Sequence, residues 1–484
     1  MFMTNLINNY SAESLLNMDA TEISNLIRNN KLTSTFITET YINHIKKINP
    51  KLNAVVETRF EDALNEAQKC DNETSKIKRN LPLFGVPISI KESFDVKGMH
   101  TTGGIVHRKD IVKTEDAEAV KRLRNAGAII LGKTNTPALC FCQETDNKLF
   151  GRTNNPWNSE HTAGGSSGGE GTLVSTGATA FGLCSDIGGS IRFPSHFSGV
   201  VGFKPGAFQV SEKGHFPETI IEQQKHMQGI GPIGKSVRDM KLINNIISQN
   251  HNDKNLYEKM DIDVLPIDNG YPISDKTAEL LTNVKEFLIE SYGANESIPP
   301  YFEDSAQIWQ EIMAINGADH IKKLAFNTDQ VNVWRAFLKE KVTKTTNTST
   351  YLSWAIIGAN MFKPSNKRIK EIDSILELGH KAVDQHLDSR LIIFPGHHTS
   401  APIHGELYNE IFSIKRSYLK YLPYVTYANV WGLPSLTIPI GFDDNNLPIG
   451  IQIMGKVGNE DSIFKLGELI EKKFTGYKRS TLLN

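Results

Sequence analysis

Cysteine is scarce in this chain. Cys70, Cys140, Cys142 and Cys184 are the only four in 484 residues, and no two form a C-x-x-C pair. That density is far below a disulfide scaffold and fits a reducing, cytoplasmic compartment. Excess charge is also lacking: 53 Lys and Arg face 54 Asp and Glu, a net charge of -1. No global field therefore recruits nucleic acid or an anionic membrane. The opening residues, MFMTNLINNYSAESLL, have neither a basic n-region nor a sustained apolar h-region, so no signal peptide is expected. The one long uncharged run, Tyr421 to Phe442, is interrupted by Pro423, Gly432, Pro434, Pro439 and Gly441, so it reads as buried strand and loop rather than a spanning helix. No internal repeat and no Pro/Ser-rich linker divides the chain, which is read as one large domain over residues 1–484.

What is present is an ordinary soluble composition, 39% hydrophobic with 8% aromatic residues. Residues 19–49 carry apolar side chains at helical spacing, with Thr33 or Ser34 as an N-cap and Pro50 as a stop. A strand at Asn53 to Val56, a helix over Arg59 to Cys70 and a charged loop over 71–80 follow. Val86, Ile88 and Ile90 alternate with Pro87 and Ser89, predicting a short strand that delivers Lys91 to its end. A helix over Asp116 to Ala126 and a strand over Ala128 to Leu131 complete a β–α–β order, which predicts an α/β sheet. Gly171 to Cys184 suits a helix lying close on that sheet, and residues 206–235 read as loop-rich. Strand signals return at Leu391 to Phe394, Ser435 to Ile440 and Ile449 to Met454, and Ser462 to Phe474 reads as a closing helix. The strands near both ends are expected to share one sheet.

The most unusual stretch is residues 161–204, which hold eleven of the 37 glycines and, before the terminal lysine, only three charges: Glu170, Asp186 and Arg192. A flexible linker is polar throughout, whereas this stretch carries Leu173, Phe181, Leu183, Phe193 and Phe203, so burial is expected. It is not a phosphate loop, because Glu170 stands where that loop has its lysine. Gly164 to Gly168 satisfies G-x-S-x-G, but polar, turn-forming residues precede it where a nucleophile elbow needs a strand. The third reading uses SDIGGSIRFP: two glycines let successive N–H groups face one concavity, and Ser190 stands at its edge. A serine there has an oxyanion hole beside its own hydroxyl.

Such a serine needs a base. None of the 14 histidines lies in a recognisable catalytic motif, and His397, His398 and His404 lack a recognised metal-ligand spacing. Lys91 stands out because it ends an apolar strand, although composition alone fits a lysine that snorkels to solvent at least as well; a lysine that serves as a base near pH 7 has to be held largely neutral.

Lys91 in PISIKES, Ser166 in GGSSGGEG and Ser190 in SDIGGSIRFPSHFSGVVGFKP resemble the amidase signature family in residue type, order and spacing. The likeness covers most of the chain and is weakest between about residues 250 and 390. It implies an α/β fold with one large mixed β-sheet surrounded by helices, and a Ser–cis-Ser–Lys triad. Ser190 would be the nucleophile, Ser166 the bridge and Lys91 the base. The N–H groups of Ile187, Gly188, Gly189 and Ser190 would hold the oxyanion, with Asp186 and Arg192 supporting the loop. It also implies an N-terminal helical segment at 19–70, a catalytic core at 82–205, a variable substrate-side region at 250–390 and closing strands and helix at 391–475.

LFGRTNNPW, Glu170 in GGSSGGEG and KGHFPETIIEQQKHMQGIGPIGKSVRDM look like the fatty acid amide hydrolase branch, particularly its second animal form. On that likeness Cys140 and Phe141 would line the substrate site, Cys140 standing where the branch has methionine, and the aromatics of residues 301–362 would serve either an acyl channel or ordinary core. The second animal form begins with a membrane-spanning helix, which this sequence does not display. The expected substrate is a small-molecule amide, with esters as a further option, and no cofactor is implied; a homodimer and peripheral membrane contact stay open. Two rivals remain: the glutaminase component of a tRNA-dependent amidotransferase, and a silent binding protein on the same fold. Against the first, its motif usually has a small residue at the place of Glu170 and threonine at that of Ile187.

Overall fold

The computed structural model describes residues 10–249, 260–328, 330–412 and 421–482. The first nine residues of the stretch read for a signal peptide, and the start of the mixed segment at Asp253, lie outside them. Extended segments form β1 (Val55–Thr58), β2 (Pro87–Lys91), β3 (Ile129–Thr134), β4 (Phe181–Asp186), β5 (Val201–Lys204), β6 (Gly229–Gly234), β7 (Asp261–Val264), β8 (Asn295–Glu296), β9 (Arg390–Pro395), β10 (Ser435–Phe442) and β11 (Pro448–Met454). They join in one sheet of order β1-β3-β2-β4-β6-β5-β10-β11-β9-β7-β8. Parallel pairs (β2 with β3 and β4, β7 with β8 and β9) flank a central run of antiparallel pairs from β4 to β9, so the sheet is mixed, as expected. Strands from both ends of the chain share it.

The two-residue period of the strands places the site. Ile88 and Ile90 of β2, Phe181 and Leu183 of β4 and Val201 and Phe203 of β5 all enter the largest core cluster. Helices Val237–Ile247 and Glu460–Lys473 cover that face. The intervening residues Ser89, Gly182 and Gly202 point the other way, toward the helices Gly168–Ser175 and Arg192–Ser198. A Cβ on Gly202 would lie 2.1 Å from Ser195 Oγ, and one on Gly182 would lie 1.9 Å from Glu170 Oε2. Glycine is required on the sheet where these two helices sit against it. Lys91, two residues after Ser89, belongs to the same face.

Several sequence expectations are corrected. The helix Ser34–Leu52 runs through Pro50, which occupies its last turn, and ends at Asn53 in the left-handed region (φ 50°). The 71–80 loop contains a helical turn, Ser75–Asn80. The helix expected over Gly171 to Cys184 ends at Ser175, because Gly177 (φ 80°) reverses the chain and β4 follows. The loop-rich 206–235 region holds the helix Glu222–Met227 and β6, a central strand of GIGPIG. Its glycines hid it; a Cβ on Gly231 would lie 2.0 Å from the Phe203 carbonyl oxygen. The uncharged 421–442 run is buried, but its first part is the helix Leu422–Val430, with Pro423 in the first turn where no N–H is needed. Among the described residues no helix is long and apolar enough to cross a membrane.

Candidate active site

Lys91 is fully buried at the end of β2. Its Nζ donates to Ser166 Oγ at 2.7 Å and to Ser185 Oγ at 3.0 Å. Ser166 lies in the turn that enters the helix Gly168–Ser175, and the Gly165–Ser166 peptide is cis. The turn is held from several sides: Thr136 Oγ1 donates to the Ser166 carbonyl at 2.9 Å, and the Ser167 N–H donates to the Ser190 carbonyl at 3.2 Å. No strand precedes Ser166, so its G-x-S-x-G surroundings do not make an elbow.

Ser190 follows β4 and precedes the helix Arg192–Ser198, and it is 7% exposed. The structure brings it to the same cavity as Ser166. The hydrogen-bond chain from Lys91 ends at Ser166: no bond joins the two serine hydroxyls among the described residues. Gly189 adopts φ 95°, and its N–H donates to Asp186 Oδ1 at 2.9 Å. The Ile187, Gly188 and Ser190 N–H groups make no hydrogen bond within the described residues. Of the four expected oxyanion donors, three are therefore open and the Gly189 N–H already serves the loop. Trp309 Nε1 donates to the Ile187 carbonyl at 2.8 Å. In a planar trans peptide this turns the Gly188 N–H away from the indole.

Asp186 and Arg192 form the frame under this loop. Both side chains are fully buried, with Arg192 Nη2 3.0 Å from Oδ1 and Nε 3.1 Å from Oδ2. The remaining guanidinium hydrogens reach the Val425 carbonyl, Gln452 and Asn429. Burial by itself would raise the Asp186 carboxyl, but the Arg192 charge and hydrogen bonds hold it well below the usual carboxylate range.

Two cavities meet at Ser190. One, of 270 Å³, is lined by Ser166, Ser185, Ser190, His215, Thr219 and Gln228 among others. The second, of 360 Å³, is lined by Ile187, Trp309, Met313, Tyr351, Trp354 and Phe362 among others, with no Asp, Glu, Lys or Arg on its wall among the described residues. Cys140 and Phe141 border both. The aromatics of 301–362 divide: Trp309, Tyr351, Trp354 and Phe362 line the second cavity, while Phe302 lies in a core cluster.

A family model described as Amidase matches residues 36–464. The chain belongs to the amidase signature family. The amidase is 31% identical to fatty-acid amide hydrolase 2-B of Danio rerio over 96% of its own length and 90% of that protein. It is 28% identical to a glutamyl-tRNA(Gln) amidotransferase component from Sulfurihydrogenibium over 95% and 97% of the two chains. A solved 6-aminohexanoate cyclic dimer hydrolase shares its fold, with a TM-score of 0.80 at 23% identity over 97% and 99%. By class the protein is an amide hydrolase.

Three residues of the amidase's site carried little or no sequence signal. Ser185 precedes Asp186 and is Lys91's second hydroxyl partner; only its place in the SDIGGS run marks it. Trp309 lies in the region where the likeness is weakest. His215, in a turn, contacts Ser185 Oγ through Nε2 at 2.9 Å. Glu170 is a departure of another kind. It is fully buried beneath β2, accepts from Ser89 Oγ, and burial pushes it up to about 7 against the Ser89 and Thr134 hydrogen bonds and the Lys91 charge.

Replacing Arg192 by leucine leaves Asp186 buried and unpaired. The expected destabilisation is about 3–5 kcal/mol, read as a fall in the denaturation midpoint; an unchanged midpoint contradicts the framing role.

Proposed function

We propose that this amidase is a serine amidohydrolase that cleaves carboxylic amides, favouring fatty-acid or other hydrophobic acyl groups, by a Ser190–Ser166–Lys91 relay. The observation that carries the reading is the buried 2.7 Å contact of Lys91 Nζ with Ser166 Oγ beside a cavity that also holds Ser190. Neutral Lys91 takes the Ser166 proton while Ser166 takes that of Ser190, whose Oγ attacks the amide carbonyl. The tetrahedral oxyanion accepts from the open N–H groups of the Ile187–Ser190 turn; each such donor is worth about 2.7–4 kcal/mol in the transition state. Collapse breaks the C–N bond, and the relay runs backward to protonate the leaving amine. Water, deprotonated by the same relay, then hydrolyses the acyl-enzyme and restores Ser190.

The uncharged aromatic wall of the 360 Å³ cavity supports an apolar acyl chain. Met361 and Phe362 of that wall are 59% and 49% exposed, and Trp334, on the neighbouring helix with its ring 6.0 Å from that of Trp354, is 49% exposed. This apolar rim fits peripheral contact with a membrane or micelle. The test is a panel of aliphatic amides and esters of graded length on wild type and Ser190→Ala. Each added methylene is expected to raise kcat/KM by up to about fourfold until the cavity is filled. A preference for acetamide over decanamide contradicts the hydrophobic reading. The similarity to an amidotransferase component favours glutamine hydrolysis as a second reading; glutaminase activity above that on decanamide would select it.

A further inference from the structure

The wall of the 360 Å³ cavity is mostly apolar, and its few polar side chains differ in what they already hold. Trp309 Nε1 donates to the Ile187 carbonyl at 2.8 Å, and the Tyr351 side chain is hydrogen-bonded to Cys142. Gln310, on the helix Ser305–Met313, is half-buried and within reach of solvent. Gln143 has neither a partner nor solvent. It is 6% exposed, and its Oε1 is wholly buried with no donor among the described residues. Its amide nitrogen makes no hydrogen bond among them either.

A carboxamide carries two donors and an acceptor, and leaving them unpaired away from water is unfavourable. Water entering the cavity can serve Gln143. An alkyl chain that fills the cavity displaces water and offers the carboxamide nothing in its place. A chain that bears a hydroxyl keeps the group paired, because an alcohol both donates and accepts. That match holds whichever way the carboxamide is turned. An ammonium or carboxylate suits the wall less well, since no charged side chain among its described residues would balance it.

The backbone sets where along the chain the hydroxyl falls. A Cβ on Gly165 would lie 2.9 Å from the Gln143 carbonyl carbon, so Gln143 abuts the residue before Ser166. Ser190 and Gly188 line the same cavity. Gln143 therefore stands at the serine end of the cavity, and Met361 and Phe362 at its exposed rim.

We infer that Gln143 is a specificity-determining residue, and that the preferred acyl group carries a hydroxyl on one of its first few carbons, hydrogen-bonded to the Gln143 carboxamide. The inference rests on the acyl-amide reading proposed above and narrows its substrate class to hydroxyacyl amides.

The test compares kcat/KM for decanamide with that for its 2-, 3-, 4- and 9-hydroxy derivatives, on full-length wild type, Gln143→Met and Gln143→Leu. In wild type the 2-, 3- or 4-hydroxy derivative is expected to exceed decanamide about tenfold, the worth of pairing a buried polar group that is otherwise left bare. The 9-hydroxy derivative, whose hydroxyl lies at the far end, is expected to show no such gain. Gln143→Met keeps a long unbranched side chain without the amide and is expected to bring the ratio to one or below. Each ratio is taken on a single preparation, so a partly folded variant cancels from it, and Gln143→Leu carries the same comparison if the Met variant yields no active protein. No preference for any hydroxy derivative in wild type, a gain confined to the 9-hydroxy derivative, or a ratio unchanged by both substitutions would each overturn the inference. A wild-type preference for acetamide over decanamide overturns the hydrophobic acyl reading itself, which is a separate outcome.

Discussion

Ser190→Ala is expected to lower kcat for a medium-chain acyl amide by about 10⁴-fold or more, with KM little changed. Losing a nucleophile that forms the acyl-enzyme removes the whole covalent route, and what persists is whatever the donor-lined pocket offers to a direct attack by water. The substitution takes away one oxygen at a site that is already 7% exposed. The loop around it is framed by Asp186, Arg192 and Gly189 rather than by the Ser190 hydroxyl. Stability should therefore stay within about 0.5–1 kcal/mol of wild type, and an unchanged melting transition separates lost chemistry from lost fold. Retention of a tenth of the activity contradicts the nucleophile assignment.

Lys91→Ala carries the second large effect. At pH 7 the expected loss is about 10²–10⁴-fold in kcat, the usual worth of a positioned general acid–base group. The deficit should shrink by about an order of magnitude at pH 10, where hydroxide takes over part of the deprotonation. The substitution also empties a fully buried position beneath Ser166 and Ser185, so Lys91→Met, which fills most of the volume without a base, is the cleaner partner variant. Both variants should show the same pH trend. A loss of the same size at both pH values, or a wild-type rate in Lys91→Met, contradicts a base role.

The sheet and the site were unequally legible in the sequence. Lys91 was visible because alternating Val86, Ile88 and Ile90 announce a strand, and a lysine closing a buried strand is anomalous unless something uses it. Ser190 was visible because two glycines before a serine permit unusual backbone conformations; Gly189 takes φ 95°, although its N–H is held by Asp186. β6 was illegible for the opposite reason. Its glycines let neighbouring backbone approach so closely that the strand has few side chains to alternate, as the 2.0 Å clash a Cβ on Gly231 would make with Phe203 demonstrates. The helix Leu422–Val430 was missed because Pro423 reads as a breaker until its place in the first turn is known. Trp309 and His215 had no local signature at all. Their contacts arise only when the fold brings a divergent helix and a turn against the end of β4, across 122 residues for Trp309 and Ile187 and 30 for His215 and Ser185.

The central claim is that Ser190, and not the serine in the more familiar G-x-S-x-G pattern, is the nucleophile, with Ser166 relaying its proton. It is tested most directly by labelling the wild-type protein with a fluorophosphonate and locating the adduct by tandem mass spectrometry. The account predicts one adduct per chain, on Ser190, and none on Ser166. An adduct on Ser166, or stoichiometric labelling that survives Ser190→Ala, would contradict it.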